Sequence, residues 1–123
     1  MDYAVLLLVP ETADALKILS DLNYKVFNMT HQNAIENNNS SEKKLKMILE
    51  LAKKHPIDLQ MSFTIGEWGT DIVAGRLAGT RTILIIDKDE IIPVIEVDNV
   101  VYSLREAVEW IVEISQVREL SLH

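Results

Sequence analysis

The stretch Phe63-Thr-Ile-Gly-Glu-Trp-Gly-Thr-Asp-Ile-Val-Ala-Gly-Arg-Leu-Ala-Gly-Thr-Arg-Thr-Ile-Leu-Ile85 contains a strand, a turn, a helix and a second strand in succession. Residues 62–65 read as a strand, and Gly66, Glu67, Trp68 and Gly69 as a tight turn. Thr70 is expected to cap the helix that follows. Its small residues Ala74, Gly75 and Ala78 allow close approach to a sheet, and Gly79 supplies a left-handed exit. Residues 82–86 complete the unit. Two strands joined through a helix are parallel, because a parallel pair needs a crossover connection.

The same alternation extends outward. Residues 4–9 are an uninterrupted apolar run, as in a strand covered on both faces. Pro10 is expected to open a helix along Ala15, Leu16, Leu19 and Leu22 that Asn23 ends, and residues 24–29 form a second strand. Residues 30–44 are polar and read as a loop. Leu45, Ile48, Leu49 and Ala52 then mark an amphipathic helix closed by His55 and Pro56. Residues 91–97 are expected to be extended, and Ser103 with Glu106 forms a capping box for a last helix. Four strands with crossover helices predict an α/β fold: a three-layer α/β/α, Rossmann-like domain with a small, mainly parallel sheet spanning residues 1–123. In such sheets ligands bind beyond the carboxyl ends of the strands, at the point where strand order reverses.

Composition narrows the function. Twelve basic against nineteen acidic side chains give a formal charge of −7, which opposes nucleic-acid binding. The absence of Cys excludes disulfides, thiolate metal sites and a Cys nucleophile. The longest apolar run is a third of a bilayer span and Asp2 sits where a signal peptide has its basic region, so neither membrane nor secretion is expected and the location reads as cytoplasmic.

The 63–85 stretch resembles the fourth motif of the haloacid dehalogenase (HAD) superfamily, in the branch of histidinol-phosphate and heptose-bisphosphate phosphatases. There a strand runs into Gly-Asp-x-x-x-Asp-Ile-x-Ala-Gly-x-x-Ala-Gly. Val9-Pro-Glu-Thr-Ala-Asp-Ala-Leu-Lys-Ile-Leu19 is similar to the first core helix of that branch. Val26-Phe-Asn-Met-Thr-His-Gln-Asn-Ala-Ile35 is similar to its second motif, and Val101-Tyr-Ser-Leu-Arg-Glu-Ala-Val-Glu-Trp-Ile111 to its tail. The resemblance implies a phosphate site at Thr30, His31 and Gln32, with Lys43 or Lys44 as its cation, and a Mg²⁺ site at Glu67 and Asp71. Family enzymes use an Asp nucleophile at the end of the first strand. Here that place falls near Val9, which has no nucleophilic atom, and the acid-base place falls near Glu11. The family's cap and zinc loop are missing as well.

The resemblance therefore implies a degenerate, HAD-like pseudoenzyme acting as a binding, regulatory or assembly module. The alternative is a Mg²⁺-dependent phosphomonoesterase for a small phosphorylated metabolite, in which Glu11, Glu67 and Asp71 direct attack by water. Each residue also has a structural reading: Thr30 as the close of a strand, Glu67 and Asp71 as helix-start acids, His31 and His55 as exposed loop residues, and Lys43, Lys44 and Lys46 as a solvated face. Trp68 is expected to cover the site or meet a partner. Receiver and nucleotide-binding folds lack their acids or Gly-rich turn here. Residues 24–29 would form an open sheet edge. Ile91, Ile92, Val94, Ile95, Val97, Val100 and Val101, rimmed by acids, are read as a homo-oligomer interface or as an extra strand on the chain's own sheet.

Overall fold

The structure, a computed structural model, describes residues 1–30 and 40–121, with the side chain of Ser121 excepted. His31 and Gln32 lie outside the described residues. Five strands, β1 (Tyr3–Leu7), β2 (Tyr24–Asn28), β3 (Phe63–Gly66), β4 (Arg81–Ile85) and β5 (Asn99–Val101), form one parallel sheet in the order β2-β1-β3-β4-β5. Among the described residues four α-helices accompany them: α1 (Ala13–Asp21), α2 (Ser41–Lys54), α3 (Gly69–Ala78) and α4 (Leu104–Ser121). This is a Rossmann-like α/β architecture. β2 is an edge strand, as its sequence suggested.

Alternation along β1 explains why its apolar run is unbroken. Val5 and Leu7 point into one core, with Leu19 of α1 and Ala107, Val108 and Ile111 of α4. Ala4 and Leu6 point into a second core, with Ile48 of α2 and Ala74 of α3. Both faces of the sheet are thus covered by helices. α3 lies close enough for Gly75 to be required: a Cβ there would stand 2.6 Å from Cβ of Thr64 in β3. Gly79 ends α3 at φ 96°, in the left-handed region that side chains disfavour.

Several boundaries differ from the sequence reading. α1 starts at Ala13 rather than Pro10, because the Thr12 hydroxyl accepts from Ala15 N and makes Thr12 the cap. α3 starts one residue before Thr70, with Trp68 as its cap residue. α2 begins at Ser41, capped by Ser40, so Lys43 and Lys44 belong to its first turn and not to a loop. Its buried face carries Lys44 and Ile48, while Leu49 is exposed. Residues 91–97 form no regular element, and the extra strand that the 91–101 segment adds to the chain's own sheet is β5, two residues later.

Candidate functional site

Strand order reverses around β1: the chain steps from β1 to β2 on one side, then crosses through α2 to β3 on the other. The carboxyl ends of β1 and β3 therefore flank the place where a doubly wound sheet opens its crevice. What β1 delivers there is apolar. Leu8 N donates to Ile65 O at 2.9 Å, and Leu8 and Val9 are both buried. The first carboxylate beyond them, Glu11, is exposed and accepts from Asn28 Nδ2 at 3.2 Å.

The β3 side is polar and equally closed. Asp71, in the first turn of α3, accepts from Glu67 N and Trp68 N through Oδ2, each at 3.0 Å. Its Oδ1 lies 2.6 Å from Lys44 Nζ, an ion-pair contact lacking hydrogen-bond alignment. Lys44 Nζ donates to Thr70 Oγ1 at 2.8 Å. Both charged side chains are 1% exposed. Gly66 lies against Asp71, and a Cβ at that position would collide with the aspartate side chain. The amides that follow β3 are thus occupied by an internal carboxylate, which takes the position an external anion would use. The pair also joins α2 to α3 across the end of the sheet. Lys44 is the lysine that reaches the crevice because it lies one helical turn before buried Ile48, whereas Lys43 and Lys46 face outward.

Thr30 belongs to a separate cluster. Its N–H donates to Asn28 Oδ1 at 2.9 Å, its hydroxyl bonds the same oxygen, and Asn28 Nδ2 holds Glu11. Asn28 is the hub of this cluster, and sequence reasoning passed over it. An Asn two residues before a Thr at the end of a strand is an Asx-turn signal that would have found it.

Glu67 is exposed, and its carboxyl is raised above the ordinary 4.5, first by partial burial and then by the charges of Asp71, Glu90 and Asp87, with Lys44 opposing. This places residues 87–90 beside the β3–α3 turn, and the Ile95 side chain also approaches Gly69. Among the described residues no three His, Asp or Glu side chains come together to hold a metal ion, so Glu11 does not join Glu67 and Asp71. Among them, too, no helix is long and apolar enough to cross a membrane.

Part of the 91–101 segment is internal. Ile95, Val97 and Val100 pack on Ile72, Leu84 and Ile86, and Val101 joins the main core. Ile91, Ile92 and Val94 remain exposed, as does Trp68. Comparison with models of known protein families finds no match, and comparison with curated proteins finds none either.

Proposed function

We propose that this chain is a minimal three-layer domain of the HAD type that has lost phosphoryl transfer and serves as a binding or assembly module. The observation that carries the reading is the closed crevice: Leu8 and Val9 stand buried where a nucleophile would be required. The likeness to HAD phosphatases is supported by the Lys44–Asp71 pair, which brings together one of the two lysines and one of the two acids that the resemblance assigns to its site. A small phosphorylated ligand would have to displace Asp71 from two amides and from Lys44, so recognition is assigned to the surface, through the exposed part of residues 91–101. The test is Mg²⁺-dependent release of phosphate from p-nitrophenyl phosphate. No release above the no-protein control is expected. Release that disappears in a Glu67→Ala variant would overturn the reading in favour of the hydrolase alternative.

A further inference from the structure

Two surfaces near opposite edges of the sheet carry opposite net charge and partly uncovered apolar side chains. Beside β2, a hollow of about 350 Å³ is lined by Val26, Phe27, Met47 and Leu51 with Glu50 and Lys54 at its rim. On the other flank of α2, Leu49 is 42% exposed among Glu42, Lys46, Glu50 and Lys53, and with Lys43 and Lys54 the exposed lysines of α2 outnumber its two exposed glutamates. Lys46, Lys53 and Lys54 are exposed and make no ion pair among the described residues. Met29 N donates to Leu7 O, so alternate residues of β2 face β1, and Val26 turns its backbone N–H and C=O to the open edge. On the β4–β5 side, Ile91 is 92% and Val94 104% exposed, next to Asp87, Lys88, Asp89 and Glu90, whose three acids outweigh the one lysine.

We infer that residues 87–94 of one copy dock on the α2–β2 surface of a second copy, head to tail. The inference deepens the assembly reading above and rests on it. A chain of net charge −7 repels its copies, so contacts where local charges are complementary are favoured over those that set like charges together. A two-fold contact between acidic segments would set Asp87, Asp89 and Glu90 against themselves. A two-fold contact through α2 would set a face of net positive charge, Lys43, Lys46, Lys53 and Lys54 with Glu42 and Glu50, against itself. The heterologous contact instead places those acids against Lys46, Lys53 and Lys54, and Ile91 and Val94 against the apolar hollow. Because donor and acceptor surfaces differ, the contact builds chains or a ring rather than a closed dimer.

Sedimentation equilibrium at up to about 100 µM tests this, well above dissociation constants of stable assemblies. The wild type is expected to exceed 14.0 kDa at low salt, with a mass that rises with concentration. Near 1 M salt, where the screening length is about 3 Å, its association should weaken about tenfold. A surface variant Lys46→Glu/Lys53→Glu/Lys54→Glu and a segment variant Ile91→Ser/Ile92→Ser/Val94→Ser should each be monomeric alone. Mixed, they should form two-chain complexes and nothing larger, since each keeps the surface the other lacks. This complementation also shows that both variants are folded, and an unchanged melting temperature checks each separately. A wild type that stops at a dimer, or a surface variant that still dimerises alone, would overturn the head-to-tail contact while leaving assembly in place. A wild type monomeric at every concentration would overturn both.

Discussion

The reversal point between β1 and β3 and the 87–94 segment both follow the carboxyl ends of strands, yet their polar and apolar groups are satisfied in opposite ways. At the reversal point Leu8 and Val9 are buried, and Asp71 and Lys44 neutralise each other at 1% exposure. In the segment Ile91 and Val94 are almost wholly solvated, and the Asp89 side chain makes no ion pair among the described residues. Position in a fold thus does not dictate where its chemistry lies; residues do. Here the place where such a sheet usually binds its ligand is buried, and the unsatisfied surface lies one strand away.

The largest effect should come from splitting the buried pair. Lys44→Met leaves a buried carboxylate without its cation, and Asp71→Asn leaves a buried ammonium facing an amide, so each is expected to cost about 3–5 kcal/mol. The double variant keeps an acceptor for Glu67 N and Trp68 N and buries no charge. It should therefore cost less than either single change. Urea unfolding measures all three. Single costs below about 1 kcal/mol that simply add would mean that the reversal point is hydrated and open, and the contrast with residues 87–94 would collapse.

Next in size is Gly75→Ala. Replacing a helical Gly by Ala ordinarily stabilises by about 1 kcal/mol, but here the new methyl meets Thr64 in β3 at 2.6 Å, too close for any real contact. Overpacking should win, giving a net loss of about 1–2 kcal/mol in urea unfolding. A gain in stability would show that α3, which carries Asp71, moves away from the sheet freely.

The two halves of the apolar segment provide a smaller, paired test. Ile95 packs on the Ile72, Leu84 and Ile86 cluster, so Ile95→Ala should cost about 1–2 kcal/mol, below the range for fully buried positions. Ile91→Ala should stay within about 0.5 kcal/mol when the protein is dilute and monomeric. Equal losses at the two sites would mean that Ile91 is covered within its own chain, removing the surface on which docking depends.

These contrasts also show which parts were legible in the sequence. The unbroken run at 4–9 and the Gly79 exit report backbone geometry and double-sided burial directly, so strands, helices and parallel order could be read from local pattern. Lys44 was harder: its charge suggested a solvated face, and only its partner Asp71, 27 positions away, makes burial tolerable. The i, i+4 spacing to Ile48 was visible but outweighed by residue type. Residues 91–97 misled in the other direction. Their β-branched composition suited a strand, but no ladder neighbour was left for them once Asn99–Val101 had paired with β4. Exposure of Ile91 beside burial of Ile95 depends on that tertiary choice, and nothing local encodes it.

The smallest expected effect concerns Glu67, where the two regions meet. Its carboxyl is raised above 4.5 by partial burial and by Asp71, Glu90 and Asp87. In the unfolded chain the group ionises at its ordinary value, whereas in the folded chain it holds its proton to higher pH. Its contribution to stability is therefore fully present below about 4.5 and is lost as pH rises through the raised folded value. Above that window the ionised side chain opposes the fold by repelling Asp87 and Glu90 in the neighbouring segment. Glu67→Gln removes that charge, and the Glu67 side chain donates or accepts no hydrogen bond among the described residues whose loss would offset the gain. Because Glu67 is exposed and screened, the gain at pH 7 should be at most about 0.5 kcal/mol, roughly 2 °C in melting temperature. The gain should vanish below pH 4, where wild type and variant are both neutral at this position. Thermal unfolding from pH 3.5 to 8 checks the sign: a variant less stable than wild type at pH 7 and equal to it at pH 3.5 would mean that the Glu67 carboxylate is held by a cation. The acidic segment would then not be set against the β3–α3 turn at all.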